Sequence, residues 1–313
     1  MKKLKYLLLS IILIIFILNI NIVILSTKEA CLIFFNKVFI SVFPFIILSD
    51  ILIHYDYHIF LKKLFGKPLS KLFNINPNST IVIILSMLTG QPCNSIYIKD
   101  MLDNNQIDLN TANKLLCFTY FPSIGFVFGT IGIGIYNNIK IGLFLYLFTI
   151  LNNILIGLYL RKIKIVNINN VTTIKDINIL IVIKKSILKA INTCFIILGN
   201  LIIFNLIINL IDNYFNLNNL LKSILSSIIE LTSSVNAISN IQDYKLKLII
   251  TTFALTFSSL SVLFQSFSIL SDYKIDKKRI IIIKLLFSIL TCLIVTMTNS
   301  RCWTIFNTLT SRI

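Results

Sequence analysis

Ile81-Val82-Ile83-Ile84-Leu85-Ser86-Met87-Leu88 runs straight into Thr89-Gly90-Gln91-Pro92-Cys93-Asn94, and this stretch decides how the chain is read. A helix needs about 20 residues to cross a bilayer, so the apolar run is too short to span one. It stops at residues that free backbone groups and add polar side chains. In a membrane such a break survives only where protein or a water-filled cavity satisfies the backbone. The second half holds a counterpart, in which Leu220 to Ile229 runs into Glu230-Leu231-Thr232-Ser233-Ser234, with the break read as 230–236. Matched interruptions in two halves point to the solute site of a transporter.

The composition agrees with a membrane setting. Of 313 residues, 56% are hydrophobic and 13% charged, against roughly 25% charged in a soluble domain; mean hydropathy is +0.88. The net charge of +17 does not read as a nucleic-acid footprint, because nearly every Lys and Arg sits in a connector or at a helix end rather than on an aromatic-laced surface. The richness in Lys, Asn and Ile resembles the codon bias of an AT-rich genome. Six scattered cysteines (Cys31, Cys93, Cys117, Cys194, Cys292, Cys302) form no CxxC pair and read as small buried hydrophobes. His54 and His58 have an i,i+4 spacing, but only Asp56 accompanies them, so they read as a polar turn rather than a metal site.

The spans follow from the apolar runs. Met1-Lys2-Lys3-Leu4-Lys5 and the run Leu7 to Leu25 read as a retained first membrane helix (5–26) with a cytoplasmic amino terminus, since the run is longer than a cleaved signal's apolar core. A tight outside turn is expected at Thr27-Lys28-Glu29, then a helix over 30–53 containing Pro44. Phe60-Leu61-Lys62-Lys63-Leu64-Phe65 reads either as an amphipathic segment on the cytoplasmic face or as an ordinary basic loop. The first broken unit occupies 81–136, with a second break at Phe121-Pro122-Ser123-Ile124-Gly125 and glycines at 125, 129, 132 and 134 that permit close helix contact. A full span over 139–160 follows, then a basic connector over 161–185, expected in the cytoplasm. The second half repeats the order: a span over 186–211, a half-helix, a helix over 247–270 broken at Ser258-Ser259-Leu260-Ser261, and a last span over 278–297. Arg301 and Trp303 read as interfacial anchors. The fold class is therefore all-α: a single polytopic transmembrane domain over 1–313, with pseudo-repeat halves at about 30–160 and 186–300. Each half carries a re-entrant half-helix hairpin and an interrupted helix.

With the breaks in place, Leu85-Ser86-Met87-Leu88-Thr89-Gly90-Gln91-Pro92 resembles the small-Gly-x-Pro signature of the YlbJ-type sporulation integral membrane proteins (stage V sporulation protein V), within the nucleoside recognition or gate-domain group. Phe43-Pro44-Phe45, Leu115-Leu116-Cys117-Phe118-Thr119, Gly129-Thr130-Ile131-Gly132-Ile133-Gly134, Glu230-Leu231-Thr232 and Phe257-Ser258-Ser259-Leu260-Ser261-Val262-Leu263-Phe264-Gln265 add to the resemblance, which covers most of 30–300. The sequence departs from that pattern at Ser233, Ser234, Ser258, Ser259, Gln91 and Phe121-Pro122. The resemblance implies a fold similar to concentrative nucleoside transporters. It also implies a sporulation role, moving dipicolinic acid or a similar small polar or anionic solute from mother cell toward forespore. The location it implies is the cell membrane or outer forespore membrane of a spore-forming bacterium. A nucleoside-like solute, or a scaffold that transports nothing, stays open beside it. The bilayer and a small-molecule substrate are the expected partners, with a homo-oligomer or other sporulation membrane proteins open and no nucleic acid.

Dipicolinate is a flat ring with two carboxylates, so its site needs hydrogen-bond donors and positive potential away from water. Half-helix amino termini offer both. The candidate substrate-binding residues are Thr89, Gly90, Gln91, Pro92 and Asn94 at the first break, and Pro122, Ser123 and Gly125 at the second. Glu230 and Thr232 stand at the third break, and Ser258, Ser259, Ser261 and Gln265 at the fourth. Gly90 and Pro92 make the turn that Gln91 and Asn94 face. The serines serve either as contacts or as caps. Glu230, a carboxylate inside an apolar segment, is a candidate by default, either for a coupling proton or for a sodium ion or substrate hydroxyl. No Lys or Arg lies within the breaks. No cofactor, metal or catalytic residue is expected, since the chain shows no Gly-x-Ser-x-Gly elbow, HExxH motif, phosphate loop or paired intramembrane acids.

Overall fold

The computed structural model describes residues 2–55, 57–163 and 178–298, leaving aside the side chains of 2–5, 8, 58, 59 and 298. Asp56, the His58 side chain, the middle of the basic connector, Arg301, Cys302 and Trp303 lie outside the described residues. Within them the chain is helical without strands. Five helices are long and apolar enough to cross a membrane: Ile20–His54, Ile139–Lys162, Ile179–Phe215, Tyr244–Ile269 and Lys277–Met297. The protein is thus a multi-pass membrane protein. Large apolar side chains such as Ile40, Leu188, Phe195, Leu286 and Met297 stand exposed on the outside of the bundle, where lipid tails are as good a neighbour as another Leu.

Helix α1 (Lys2–Leu18) gives way at Asn19 to α2 (Ile20–His54). The expected turn at Thr27-Lys28-Glu29 does not form; the helix runs through it. No Gly or Pro stops it there, and Thr27 satisfies its own hydroxyl on the Val23 carbonyl at 2.7 Å. Glu29 instead accepts from Asn209 Nδ2 at 3.1 Å. Residues 34–39 of α2 widen into a π turn ahead of Pro44. Next, α3 (57–73) is helical throughout, so the basic stretch is no irregular loop. It ends on Asn74 in the left-handed region (φ 52°). The chain then bends by 111° into Pro77–Thr89.

The first half continues with α4 (Thr80–Thr89), α5 (Cys93–Asp103), α6 (Leu109–Phe118), the π-helical α7 (Phe126–Ile133) and the long α8 (Ile139–Tyr159). The second holds α9 (Ile179–Phe215), α10 (Asn219–Ile229), α11 (Leu231–Ser239), α12 (Tyr244–Phe257), α13 (Ser259–Ile269) and α14 (Lys277–Thr298). Three sequence expectations shift. Helix α9 starts earlier than 186, taking in the end of the basic connector. The third break narrows from 230–236 to Glu230 alone, because the Glu230 side chain caps a new helix at once. The fourth narrows to the pair Ser258 and Ser259, with φ 72° and 57°.

Asn and Asp start and stop these helices. Asp108, Asn138, Asn218 and Asp243 each accept a backbone N–H of the first helical turn, a cap worth about 1 kcal/mol. Asn74 and Asn216 close helices in the left-handed region more often filled by Gly. Of the glycines noted in sequence, Gly132 does meet a neighbour: a Cβ there would lie 3.2 Å from Gly142 Cα on α8. Gly129 has open space.

Polar ties hold the outer arm of the first hairpin. Lys189 Nζ on α9 bridges Asp50 Oδ1 of α2 at 2.8 Å and Asp100 Oδ2 of α5 at 2.7 Å, and Ser186 donates to Asp50 Oδ2 at 2.7 Å. Lys99 pairs with Asp272 at 2.6 Å, and Tyr273 donates to Asp103 at 2.5 Å. One helix of the second half therefore pins two elements of the first.

Candidate functional site

At the first break Gly90 leaves α4 with φ 79° and ψ −178°, a region only glycine occupies without strain. Any side chain is also blocked: a Cβ would stand 2.6 Å from Ser123 N and 2.8 Å from Ser123 Cα. Glycine is required here because two breaks touch. The Gln91 N–H donates to the Phe121 carbonyl at 2.8 Å, and Asn94 Nδ2 donates to Thr119 Oγ1 at 3.2 Å. The Gln91–Pro92 peptide is cis. Within the second break, Asn153 of α8 donates to the Tyr120 carbonyl at 2.8 Å, and the Phe126 N–H finds Ser123 Oγ at 3.3 Å. The Tyr120 and Phe121 carbonyls of this irregular segment are thus satisfied from neighbouring elements, as hydrocarbon demands of buried backbone.

Glu230 forms the third break in an extended conformation. Its Oε2 accepts the Ser233 N–H at 2.5 Å and its Oε1 the Thr232 hydroxyl at 3.2 Å. The carboxylate is buried and caps α11. That position suits a negative charge, since the helix amino terminus carries about half a positive one. At the fourth break Gln265 Nε2 donates to Ser261 Oγ at 3.3 Å.

Three of the breaks, joined by Gln265 of α13, reach one half-open cavity with about 50 Å³ of free space, room for a few water molecules. Gln91 and Pro92 come from the first break, Pro122 and Ser123 from the second, Glu230 and Thr232 from the third, and Gln265 from just beyond the fourth. Ser41 and Val42 of α2 and Ile197 and Leu201 of α9 close the sides. Both amide atoms of Gln91 are buried without a hydrogen-bond partner among the described residues. A buried primary amide left open is costly and is fitted to a ligand that donates and accepts. Pro92, which precedes α5, makes no side-chain cap, and the Cys93 and Ser95 N–H groups at the start of α5 donate instead to the Gly90 and Pro92 carbonyls at 3.2 and 3.0 Å.

The other candidates stand around the cavity rather than in its wall. Thr89 donates to the Leu85 carbonyl at 2.9 Å and accepts from Tyr97 at 3.2 Å. Gly90 shapes the turn. Asn94 ties two breaks together and Gly125 opens α7. Ser258 leans on the Leu255 carbonyl at 3.4 Å, Ser261 holds Gln265, and Ser259 Oγ has no partner among the described residues. Sequence reading missed Ser41 and Phe126 in the wall, the buried charged residues Asp50 and Lys284, and the half-buried Lys189 that pairs with Asp50. The signal was present. Asp50 and Lys284 are each a lone charge in an apolar run, as in Ile280 to Ile283 followed by Lys284, the same feature that singled out Glu230.

The comparisons with known proteins add one stretch. Over 120 residues the chain is 27% identical to the sporulation integral membrane protein YlbJ of Bacillus subtilis (strain 168). The match covers 38% of this chain and 29% of that protein, so less than a third of the relative's length is represented. No protein-family model matches the chain, and no solved structure matches it. The class that fold and site define is a multi-pass, all-helical membrane protein with a mainly apolar cavity, set with a few polar side chains, at the meeting of its helix breaks. Over part of its length it is similar to that sporulation membrane protein.

Proposed function

We propose that this chain is a membrane carrier, not an enzyme, and that its solute binds where the breaks meet. The observation that carries this reading is the convergence itself: Gln91, Ser123, Glu230 and Gln265, far apart in sequence, line one cavity. Helix ends meeting at one cavity are the arrangement that alternating-access carriers use. The two halves, each with a hairpin, a broken helix and a long helix, are the two gates. In this reading the short arms enter and leave on one side, with the basic segments 54–80 and 161–189 in the cytoplasm.

The similarity to a sporulation membrane protein supports a role in spore formation, and dipicolinate is the solute proposed. Gln91 Nε2, buried without a partner among the described residues, supplies a donor for a carboxylate. Glu230, held by the Ser233 N–H and the Thr232 hydroxyl, is the place for a coupling proton or sodium ion. The test is dipicolinate content in sporulating cells lacking the protein, with mother cell and forespore assayed separately. Dipicolinate made but left in the mother cell is the expected result. Normal forespore content would remove the dipicolinate assignment and turn the search to nucleoside-like solutes or a scaffold role.

A further inference from the structure

Lys284 lies within the last long helix, α14, fully buried. Its Nζ donates to the Thr256 carbonyl at 3.2 Å and stands 4.5 Å from the centroid of the Tyr120 ring. Both partners belong to the breaks: Thr256 precedes Ser258 by two residues, and Tyr120 lies inside the 119–123 segment that leads to Pro122 and Ser123 in the cavity wall. A buried ammonium has three N–H donors and is costly without a carboxylate beside it. Helices α6, α8 and α12 pack against α14, and none of these four helices contains an Asp or Glu. Glu230, the buried acid of the cavity, is already met by the α11 amino terminus and the Thr232 hydroxyl.

We infer that Lys284 is the counter-charge for a carboxylate-bearing solute in the cavity, and so the residue that makes the cavity prefer an anion. This rests on the carrier reading above. Tyr120 and Pro122 are two residues apart, at most about 7 Å along the chain. The ammonium therefore acts through space over on the order of 10 Å, across the Tyr120 ring rather than by contact. At an effective dielectric of about 20, one charge at that range changes affinity by about tenfold.

The test is calorimetric titration of the purified full chain in detergent with pyridine-2,6-dicarboxylate and with its neutral isostere, pyridine-2,6-dicarboxamide. Lys284→Gln keeps a donor for the Thr256 carbonyl and removes the charge. The expected result is a loss of about tenfold for the dicarboxylate with the diamide unchanged, while Lys284→Arg keeps the dicarboxylate preference. Equal weakening of both compounds, or of neither, would show a purely structural lysine and overturn the assignment. Should Lys284→Gln fail to fold, the wild type and Lys284→Arg decide: binding the diamide as tightly as the dicarboxylate overturns the assignment, and a clear dicarboxylate preference in both supports it. Wild-type protein that binds neither compound overturns the solute reading itself, and the role of Lys284 with it, a result distinct from loss of preference alone.

Discussion

Replacing Gly90 by Ala tests the geometry at the centre of the site. The added Cβ would sit 2.6 Å from Ser123 N, 2.8 Å from Ser123 Cα and 2.9 Å from Ser123 Cβ. Ordinary contact begins near 3.4 Å, so the two breaks must separate by nearly an ångström. The atoms in the way are mostly backbone, which cannot swing aside as a side-chain tip can. Holding Ala at φ 79° and ψ −178° costs about 1–3 kcal/mol. Stretching the Gln91 N–H to Phe121 carbonyl bond, 2.8 Å in the native protein, adds about 1 kcal/mol. The sum, about 2–4 kcal/mol, lowers the melting temperature of a chain this size by about 5 °C or more. The assay is thermal unfolding in detergent, with Gly199→Ala as control. Gly199 lies in α9 with nothing within 4 Å of a new Cβ, and Ala there gains about 0.5–1 kcal/mol. If Gly90→Ala melts with the wild type, the contact between the breaks does not hold in the protein, and the cavity built on it fails.

Two further outcomes follow from named contacts. Lys189→Met strands Asp50, whose side chain is only 6% exposed, and should destabilise by about 3 kcal/mol; adding Asp50→Asn should restore most of that, and an unchanged deficit in the double variant would show the bridge to be unimportant. In a cysteine-free background, Lys71→Cys and Lys185→Cys should both react with an impermeant thiol reagent from the cytoplasmic side alone, and labelling from opposite sides would overturn the proposed orientation.

The breaks were legible because Gly90-Gln91-Pro92 and Glu230 cannot sit in an apolar span without a reason. What escaped sequence reading has physical causes. Thr27-Lys28-Glu29 looked like a turn because it is polar, yet each residue is tolerated in a helix, and Thr27 and Glu29 find partners without leaving it. The third break looked seven residues long because Ser233, Ser234 and Asn236 are polar, but Glu230 caps α11 and allows helix to resume at once. The cavity walls from Ser41, Ile197 and Leu201 come from helices distant in sequence, and only tertiary packing brings them to the breaks. Lys284 was hidden by its context: one charge between Ile283 and Leu285 reads as a flaw in a span until its neighbours are known.

Uptake of labelled dipicolinate by proteoliposomes, comparing the wild type with Gln91→Ala and Glu230→Gln, tests the carrier account most directly. Both variants are expected to insert and purify like the wild type, because the Gln91 side chain has no hydrogen-bond partner among the described residues and the Glu230 side chain bonds only Thr232 and Ser233, and both should lose accumulation. Full uptake by both variants would contradict the assignment of the converging breaks as the solute site.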